Sequence, residues 1–528
     1  MRAETDDAPP PHRFALRLLS AAGSLAVGGL TAVAFLSSAF WWLSWLAAIA
    51  LIATVSRRTA RAALGHGWLA GIGFYITATY WLPATIERFS DYAGWLSILM
   101  FVGYCTLVGV QFALFGYLSA KLRRAGSLLI YPVVWVAIEL LWPSIFPWQY
   151  GSTQFRRLAL IQITELTGVY GISFLLIWFG ALAHMAFERM RTDPPPAHFK
   201  AHIAVFVVTL ALVLCFGWWR TNNVADYLAE RAPMRVALIQ PGQVQYDRLP
   251  VWWHRCLQLS QAIDEPVDLI CWPESAVGRV YHIQEIDLKP PPGAKPGSRE
   301  AFRPYREPQS PLLFGAGSWA TAASGEKFFY VSALLSDKQE RIIDRYHKRS
   351  LVPFGEYIPG EKWFPSLRRF SPWPVHFVPG PSGDPVVAPG LARIGVLICY
   401  EDIVAGMARE SVLRGADLLV NLTNDFWFGQ SPALRQHLQL AVFRAVENKR
   451  YLLRSTTTGA TAVIAPTGRI IAQAPFGDPH ALLATIHTAE LTTFYTQWGN
   501  VFAWACCAAV VIISVRRFLA RGSRAKSG

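Results

Sequence analysis

Long apolar runs constrain this chain more than any other feature of its sequence. A helix needs about 20 consecutive apolar residues to cross the hydrocarbon core of a bilayer. Hydrophobic residues make up 53% of the 528 positions and charged residues 16%, a balance too apolar for an ordinary soluble protein. We therefore expect a polytopic α-helical membrane domain of about eight transmembrane helices. The runs lie at residues 14–36, 39–55, 62–86, 94–119, 127–146, 158–187, 201–219 and 499–515.

The character of the sequence changes between the seventh and the eighth run. From about residue 234 to residue 490 it has short β-branched runs, Gly and Pro turns and ordinary charge density, which is typical of a soluble α/β domain. The pattern predicts three parts. They are an N-terminal transmembrane domain at 1–219, a globular domain at 220–494, and a final transmembrane helix with a tail at 495–528.

Basic residues cluster mostly at alternate ends of the apolar runs. Short cytoplasmic loops of membrane proteins are rich in Lys and Arg, so such clusters indicate which ends face the cytoplasm. This bias places both termini in the cytoplasm and the globular domain outside it. The formal charge of +14 is then a topology signal rather than a sign of nucleic acid binding, because no motif for reading bases accompanies it. The clusters lie at 13–17, 57–61, 121–124, 189–200 and 516–526.

Four apolar runs of the globular domain end in polar side chains, and α/β sheets place functional groups at the ends of their strands. A thiol becomes a nucleophile when a carboxylate base and a cation help it to lose its proton. Glu274 and Lys348 have the chemistry to do this for Cys399, although a buried structural cysteine is the alternative. The seven cysteines form no CxxC pair, so the sequence predicts no metal site and no cofactor. The four runs end at Gln240, Glu274, Cys399 and Asp425.

The sequence does not decide the roles of three further features. Glu139 and Glu165 fall within or near apolar runs, where carboxylates are costly and often functional. Each either faces a cavity for a lipid headgroup or lies at a helix end near the interface. A Pro-rich stretch at 289–297 interrupts the globular domain and is either a mobile arm or a solvated surface loop.

Three short blocks of the globular domain resemble the signature motifs of the nitrilase superfamily. The long middle block and two further stretches narrow the resemblance to the apolipoprotein N-acyltransferases, and it covers nearly the whole chain. It implies a nitrilase-like αββα sandwich for the globular domain. The blocks are Trp272-Pro-Glu274, His347-Lys348 with 351–359, and Ile398-Cys399-Tyr-Glu401, and the further stretches are 424–429 and 167–174.

The resemblance also implies roles for single residues. Glu274 would be the general base, Lys348 the cation near a developing oxyanion, and Cys399 the nucleophile. Glu356 would orient Lys348 or balance its charge, and Glu401 would support the loop beside the thiol. Ordinary salt bridges of surface loops are the alternative for both of these glutamates.

Three aromatic residues complete the set of candidate site residues. Tyr400, Trp427 and Phe428 supply aromatic surface beside the presumed nucleophile. The resemblance implies that such residues gate an opening toward the bilayer. Ordinary core packing is an equally good interpretation.

The function that the resemblance implies is acyl transfer at a bacterial inner membrane. The donor would be a membrane phospholipid, and the acyl chain would pass through a Cys399 thioester. The acceptor would be the α-amine of the N-terminal S-diacylglyceryl-cysteine of an apolipoprotein. The enzyme is expected to act as a monomer embedded in the lipid bilayer. A membrane-anchored amidase acting on a small amide and a non-catalytic membrane scaffold are the alternatives.

Overall fold

The computed structural model describes residues 11–90, 93–123, 128–189, 197–243, 249–282, 310–321, 327–339, 341–373 and 375–526. The Pro-rich stretch at 289–297 lies outside the described residues. Eleven helices within these ranges come before the first strand, and one helix ends the chain. They are α1 (Pro11–Leu36), α2 (Leu43–Val55), α3 (Ala60–Ala78), α4 (Leu82–Ser90), α5 (Gly94–Val108), α6 (Val110–Leu122), α7 (Ile130–Leu141), α8 (Leu158–Ile161), α9 (Thr164–Thr167), α10 (Tyr170–Arg189), α11 (Ala197–Ala229) and α16 (Val501–Lys526).

Several of these helices have the length and composition of membrane spans. In the part of the chain that the structure describes, five segments are long and apolar enough to cross a bilayer, and three shorter apolar helices accompany them. The five segments are Ala15–Leu36, Gly94–Leu122, Tyr170–Glu188, Phe199–Ala229 and Val501–Ala520, and the shorter ones are Leu43–Val55, Ile130–Leu141 and Leu158–Thr167.

Three of the predicted runs are divided in the structure. The run at 94–119 forms α5 and α6, which meet at Gly109. The run at 62–86 forms α3 and α4, and Pro83 in the first turn of α4 cannot donate the hydrogen bond that would continue α3. The run at 158–187 forms α8, α9 and α10. Gly168 follows α9 with a φ of +62°, a left-handed conformation that ends a helix and favours glycine.

Glycines let helices α1, α3 and α6 pack backbone against backbone. A Cβ atom added at Gly67 of α3 would lie 2.3 Å from the carbonyl oxygen of Phe112 in α6. A Cβ at Gly73 would lie 2.1 Å from the carbonyl oxygen of Leu25 in α1. Small residues at such crossings permit the close approach by which membrane helices associate.

The globular domain contains two six-stranded sheets. The first has the strand order β12-β1-β2-β3-β4-β5 and the second β11-β10-β9-β8-β7-β6. The strands are β1 (Pro233–Gln240), β2 (Leu269–His282), β3 (Leu312–Thr321), β4 (Lys327–Ser336), β5 (Ile342–His347), β6 (Val386–Ala388), β7 (Ala392–Ile398), β8 (Leu418–Thr423), β9 (Leu452–Thr456), β10 (Ala462–Ile464), β11 (Ile470–Gln473) and β12 (His480–His487). The helices are α12 (Leu249–Gln261), α13 (Ala405–Leu413), α14 (Ala433–Asn448) and α15 (Phe494–Trp498).

The two sheets pack face to face between layers of helices. Successive side chains of a strand point to opposite faces, so each strand contributes to two cores. Val236 of β1 shares a buried cluster with Val396 of β7, and this cluster fills the space between the sheets. Ile239 of β1 faces the other way and packs in a cluster with Cys256 of α12. The arrangement is an αββα sandwich.

The second sheet is joined to the membrane helices through α14. Leu419 of β8, Val442 of α14 and Leu176 of α10 belong to one buried hydrophobic cluster. Helix α11 also runs without a break from the apolar segment to Ala229, four residues before β1 begins at Pro233. The lobe and the helices therefore share a single apolar interior.

A buried ion-pair cluster also crosses this junction. Glu165 in α9 lies 2.9 Å from Arg220 of α11 and 3.1 Å from the buried ammonium of Lys449, which follows α14. Lys449 donates a further hydrogen bond of 2.7 Å to Gln162. Glu165 therefore has cationic partners in both a membrane helix and the globular lobe.

Replacing Gly67 with alanine tests the backbone packing of α3 on α6. We expect Gly67→Ala to lower the free energy of unfolding by about 1–3 kcal/mol, because the new methyl group forces the two backbones apart. Gly65 is the matched control, since no atom lies within 4 Å of a Cβ built there. Thermal unfolding in detergent should show a lower midpoint for Gly67→Ala only. Equal midpoints for the two variants would contradict the packing described here.

Candidate active site

Cys399 lies at the sharp turn that follows β7. Its φ is +51°, a left-handed conformation that costs a non-glycine residue about 1–2 kcal/mol. It begins a 3₁₀ turn, Cys399–Asp402, so the chain leaves the sheet at this residue. The side-chain amide of Asn421 on β8 donates a hydrogen bond of 3.1 Å to the Cys399 carbonyl oxygen and holds the turn against the sheet.

Glu274 lies within β2, where the register with β3 is irregular between Trp272 and Val277. The sequence predicts that this strand ends at the carboxylate, whereas the strand continues past the irregularity to His282. Gly315 on β3 permits the distortion, because a Cβ atom there would lie 2.5 Å from the Glu274 Cα. The neighbouring strand therefore allows the chain to bulge at the carboxylate.

The Glu274 carboxylate contacts groups from three other parts of the chain. Its Oε2 accepts a hydrogen bond of 2.9 Å from the backbone N–H of Asn424. Its Oε1 lies 3.6 Å from the Lys348 Nζ. The Cys399 thiol lies close enough to the same carboxylate for each group to shift the pKa of the other. The structure thus brings the three residues that are distant in sequence into one site.

Lys348 follows β5 directly, and its side chain is fully buried. The Nζ atom lies 2.6 Å from Glu356 Oε1. The second oxygen of Glu356 accepts a hydrogen bond of 2.8 Å from the backbone N–H of Val352, so its loop fixes the carboxylate in place. Glu356 is therefore a partner in a buried ion pair and not in a surface salt bridge.

The charges of this cluster shift one another's pKa values. Burial raises the pKa of Glu274, because a charged carboxylate loses hydration, and Lys348 opposes that shift. Burial, with the Glu274 charge, also raises the pKa of the Cys399 thiol. Burial lowers the pKa of Lys348, but the carboxylates of Glu356 and Glu274 outweigh it and raise the pKa above its usual value. These shifts favour the ammonium form of Lys348 and the neutral form of the Cys399 thiol.

Glu401 connects the turn at the thiol to the segment that carries Lys348. Its Oε2 accepts a hydrogen bond of 2.7 Å from the Ile398 N–H, and its Oε1 accepts one of 2.7 Å from the Arg349 N–H. The hydroxyl of Tyr346 donates to both oxygens at 3.0 Å. This carboxylate is fully buried and takes no part in a surface salt bridge.

The three aromatic candidates lie between the site and the membrane domain. The Tyr400 hydroxyl donates a hydrogen bond of 2.7 Å to the carbonyl oxygen of Ile145. The Trp427 ring centroid is 4.7 Å from that of Phe89, at the end of α4. Phe428 packs on Trp81, which precedes α4, at a centroid distance of 5.3 Å. These contacts are interdomain packing, and they border the side of the site that faces the apolar helices.

A second buried charge network lies behind the thiol. Of its four members, the sequence pointed only to Asp425. His437 of α14 contacts Asp402 through Nε2 at 2.7 Å and Asp425 through Nδ1 at 3.0 Å. Arg454 of β9 lies 2.8 Å from Asp402 and 3.8 Å from Asp425. Asp402 ends the turn that begins at Cys399, and Asp425 follows Asn424, whose N–H binds Glu274. The network thus joins the two loops that carry the site.

The sequence did not single out His437, because α14 is rich in polar residues. Every residue of α14 except Arg435 is buried, including Gln436, Gln439 and Glu447. Polar side chains of this kind are typical of a solvated helix face, so the sequence gives no signal that the helix is enclosed. Among the described residues, no group of three His, Cys, Asp or Glu side chains is arranged to hold a metal ion.

Removing the imidazole tests the second network. His437→Leu leaves two buried carboxylates with Arg454 as their only cation, and we expect it to destabilise the protein by about 3–5 kcal/mol. Burial lowers the pKa of His437, but Asp402 and Asp425 outweigh it and raise the pKa from 6.5 to about 9. The contribution of the charged imidazole should therefore be complete below pH 6.5 and decline as the pH rises through about 9.

The measurement is the difference in melting temperature between the wild type and His437→Leu, recorded in detergent from pH 6 to pH 10. His480→Leu, at a partly exposed position on β12, is the control and should leave the melting temperature nearly unchanged. A difference that is constant across this pH range would contradict a charged His437.

Comparison with known proteins covers both parts of the chain. Residues 235–495 match the family described as Carbon-nitrogen hydrolase, and residues 27–182 match the family described as Apolipoprotein N-acyltransferase N-terminal domain. The first match confirms the predicted nitrilase-like fold of the globular domain. Among solved structures, an amidase from Nesterenkonia aligns over 52% of this chain and 97% of its own, with 20% identity and a TM-score of 0.35.

Curated relatives align over nearly the full length. A protein of Geobacter metallireducens named apolipoprotein N-acyltransferase is 32% identical over 98% of each chain. One of Azotobacter vinelandii with the same name is 30% identical over 96% of each chain. One of Ralstonia nicotianae is 29% identical over 93% of this chain and 92% of its own. With this identity across both the helical part and the αββα lobe, the chain belongs to the apolipoprotein N-acyltransferase family.

Proposed function

We propose that this protein transfers an acyl chain from a membrane phospholipid to the α-amine of an S-diacylglyceryl-cysteine at the N-terminus of an apolipoprotein. One observation carries the proposal. A partly exposed thiol meets a buried carboxylate and a buried ammonium in a site that borders apolar helices. Both substrates are anchored in lipid, so an enzyme that joins them must bring its nucleophile to the bilayer. The relatives over the full length of the chain carry the name of this activity.

In the first step, Cys399 becomes acylated. Glu274 accepts the thiol proton as the sulfur attacks the carbonyl carbon of the phospholipid ester. The Lys348 ammonium stabilises the negative charge that develops on the carbonyl oxygen. The tetrahedral intermediate then expels the lysophospholipid alkoxide, which takes the proton from Glu274. A thioester remains on Cys399.

In the second step, the lipoprotein amine accepts the acyl chain. The amine nitrogen attacks the thioester carbonyl carbon, and Glu274 accepts a proton from the amine. Collapse of the tetrahedral intermediate breaks the carbon–sulfur bond and forms the amide. The proton on Glu274 returns to the Cys399 sulfur, so the enzyme regains its starting state.

The other candidate residues support these steps. Glu356 keeps Lys348 charged and oriented through its 2.6 Å ion pair. Glu401 holds the Cys399 turn against the Lys348 segment through its backbone hydrogen bonds. Tyr400, Trp427 and Phe428 form the rim through which an acyl chain enters from the membrane side.

The proposed setting is a bacterial inner membrane with about eight spans. The parts are the transmembrane domain at 1–219, the catalytic domain at 220–494 and the final span with its tail at 495–528. The alternating basic clusters support a catalytic domain outside the cytoplasm and termini inside it. The protein would act as a monomer. The amidase alternative is not favoured, because the relatives share the membrane part as well as the lobe.

A labelled acyl donor tests the covalent step. Incubating the purified protein with phospholipid that carries a labelled acyl chain should place the label on Cys399 first and then on the amine of a diacylated lipopeptide. Cys399→Ser should abolish the thioester and reduce transfer at least 1000-fold, because it removes the nucleophile. Cys215→Ser, which changes an exposed cysteine on α11, is the control and should transfer at the wild-type rate. Mass spectrometry locates the label, and a hydroxylamine-stable adduct on another residue would overturn the assignment.

The pH dependence of acyl-enzyme formation tests the role of Glu274. Burial raises the pKa of this carboxyl group above 4.5, and a protonated carboxyl cannot accept the thiol proton. The rate should therefore fall as the pH decreases through a value higher than 4.5. Glu274→Gln should remove this acid limb together with most of the activity. A rate that stays constant down to pH 4.5 would exclude Glu274 as the base.

A further inference from the structure

A polar cavity lies at the end of α7, inside the membrane domain. Its volume is about 110 Å³, which leaves room for a small polar group. Its lining includes Gln111, Glu139, Trp142, Ser144, Gln149 and Tyr170. Polar space among apolar helices is costly to maintain and marks a functional site by default.

The carboxyl group of Glu139 is incompletely satisfied in this cavity. Its Oε1 accepts hydrogen bonds of 2.6 Å from the Trp135 indole and 2.7 Å from the Tyr150 backbone N–H. No described residue makes a hydrogen bond of good geometry to its Oε2, although the Ser173 hydroxyl lies near the carboxyl group. No Lys, Arg or His of the described chain lies within ion-pair distance of it.

Two other buried carboxylates, those of Glu165 and Glu401, have partners for both of their oxygens. Glu165 pairs with Arg220 and Lys449, so its charge is balanced. Glu401 makes no ion pair with a described residue, but backbone N–H groups or the Tyr346 hydroxyl donate to both of its oxygens. Glu139 has neither form of compensation at Oε2. A buried carboxylate without its own cation is costly in its charged form, and a cation that enters the adjoining space would lower that cost.

One of the residues that line the cavity also offers a hydrogen-bond donor. The indole N–H of Trp142 is buried and has no hydrogen-bond partner among the described residues. It therefore offers a donor for an oxygen atom, while Glu139 offers an acceptor for a cation. An ammonium group with a nearby oxygen, such as a carbonyl or phosphate oxygen, would satisfy both.

The segment that lines the cavity is hydrogen-bonded to the turn that carries the nucleophile. Ile145 lies between two lining residues, Ser144 and Pro147, and its carbonyl oxygen accepts the 2.7 Å hydrogen bond from Tyr400. Tyr400 is the next residue after Cys399. The cavity and the nucleophile therefore lie on segments that contact each other.

We infer that this cavity binds a primary ammonium group of a substrate through Glu139. The inference rests on the proposed function, in which a phospholipid with an aminoethyl headgroup is an acyl donor. The α-amine of the lipopeptide is not the bound group, because it must be free to attack the thioester. Glu139 is therefore a binding residue for the donor headgroup and does not take part in proton transfer at the thiol.

The variant Glu139→Gln tests the inference with little change in structure. Glutamine keeps an oxygen that accepts the hydrogen bonds from Trp135 and Tyr150, but it removes the negative charge. Acyl-enzyme formation is measured with phospholipid bearing either an ethanolamine or a glycerol headgroup, in detergent micelles of otherwise identical composition. Transfer from the isolated acyl-enzyme to a diacylated lipopeptide is measured separately. Glu188→Gln, which changes a membrane-domain carboxylate at the far end of α10, is the matched control.

One result would support the inference. KM for the ethanolamine lipid rises about 10-fold, while the values for the glycerol lipid and the lipopeptide do not change. A rise in KM for the lipopeptide alone, with both donors acylating Cys399 normally, would overturn the inference. Trp142→Phe should produce the same pattern at a smaller amplitude, and it serves as a second variant if Glu139→Gln does not fold.

Two further results would overturn the inference. Unchanged KM values for all three substrates would show that Glu139 binds none of them. An equal loss of kcat for all three, with KM unchanged, would show a purely structural carboxyl group. The wild-type protein reports on the proposed function in the same assays, because its failure would appear as the absence of label on Cys399 from either lipid.

Discussion

The active site depends on one ammonium group that is held out of water between two carboxylates. Lys348 has no exposed surface, and its charge is balanced by Glu356 at 2.6 Å and Glu274 at 3.6 Å. Charges taken out of water are stable only when their partners are fixed in position. The surrounding structure meets this condition with backbone hydrogen bonds, since Val352 holds Glu356 and Asn424 holds Glu274.

The elements around this ammonium come from both sheets of the sandwich. The first sheet supplies Glu274 at its bulge and Lys348 after β5, and the second supplies Cys399 after β7. Glu401 bonds across this divide, and the network of His437 and Arg454 secures the loops of the second sheet from behind. The strained φ of Cys399 persists because these contacts determine its turn from several directions.

The sequence was sufficient to predict the nitrilase-like lobe and the positions that meet in its site, because strand ends and three motif blocks both indicate them. It could not predict the bulge at Glu274, which depends on Gly315 in another strand. It also could not reveal His437 and Arg454, since their partners are distant along the chain. Hydropathy predicted α3 and α4 as one run, because a single proline or glycine changes the mean hydropathy of an apolar run very little.

The enclosure of α14 has a consequence for how the protein is made. Its apolar residues share one interior with membrane helices that precede it by more than 200 positions, and its amide side chains bond to them, as Gln436 does to Trp81 and to Ala78. Those helices leave the ribosome first. The surface that α14 packs against is therefore synthesised before the sandwich, and a lobe expressed by itself would expose to solvent a face that contacts protein in the full chain.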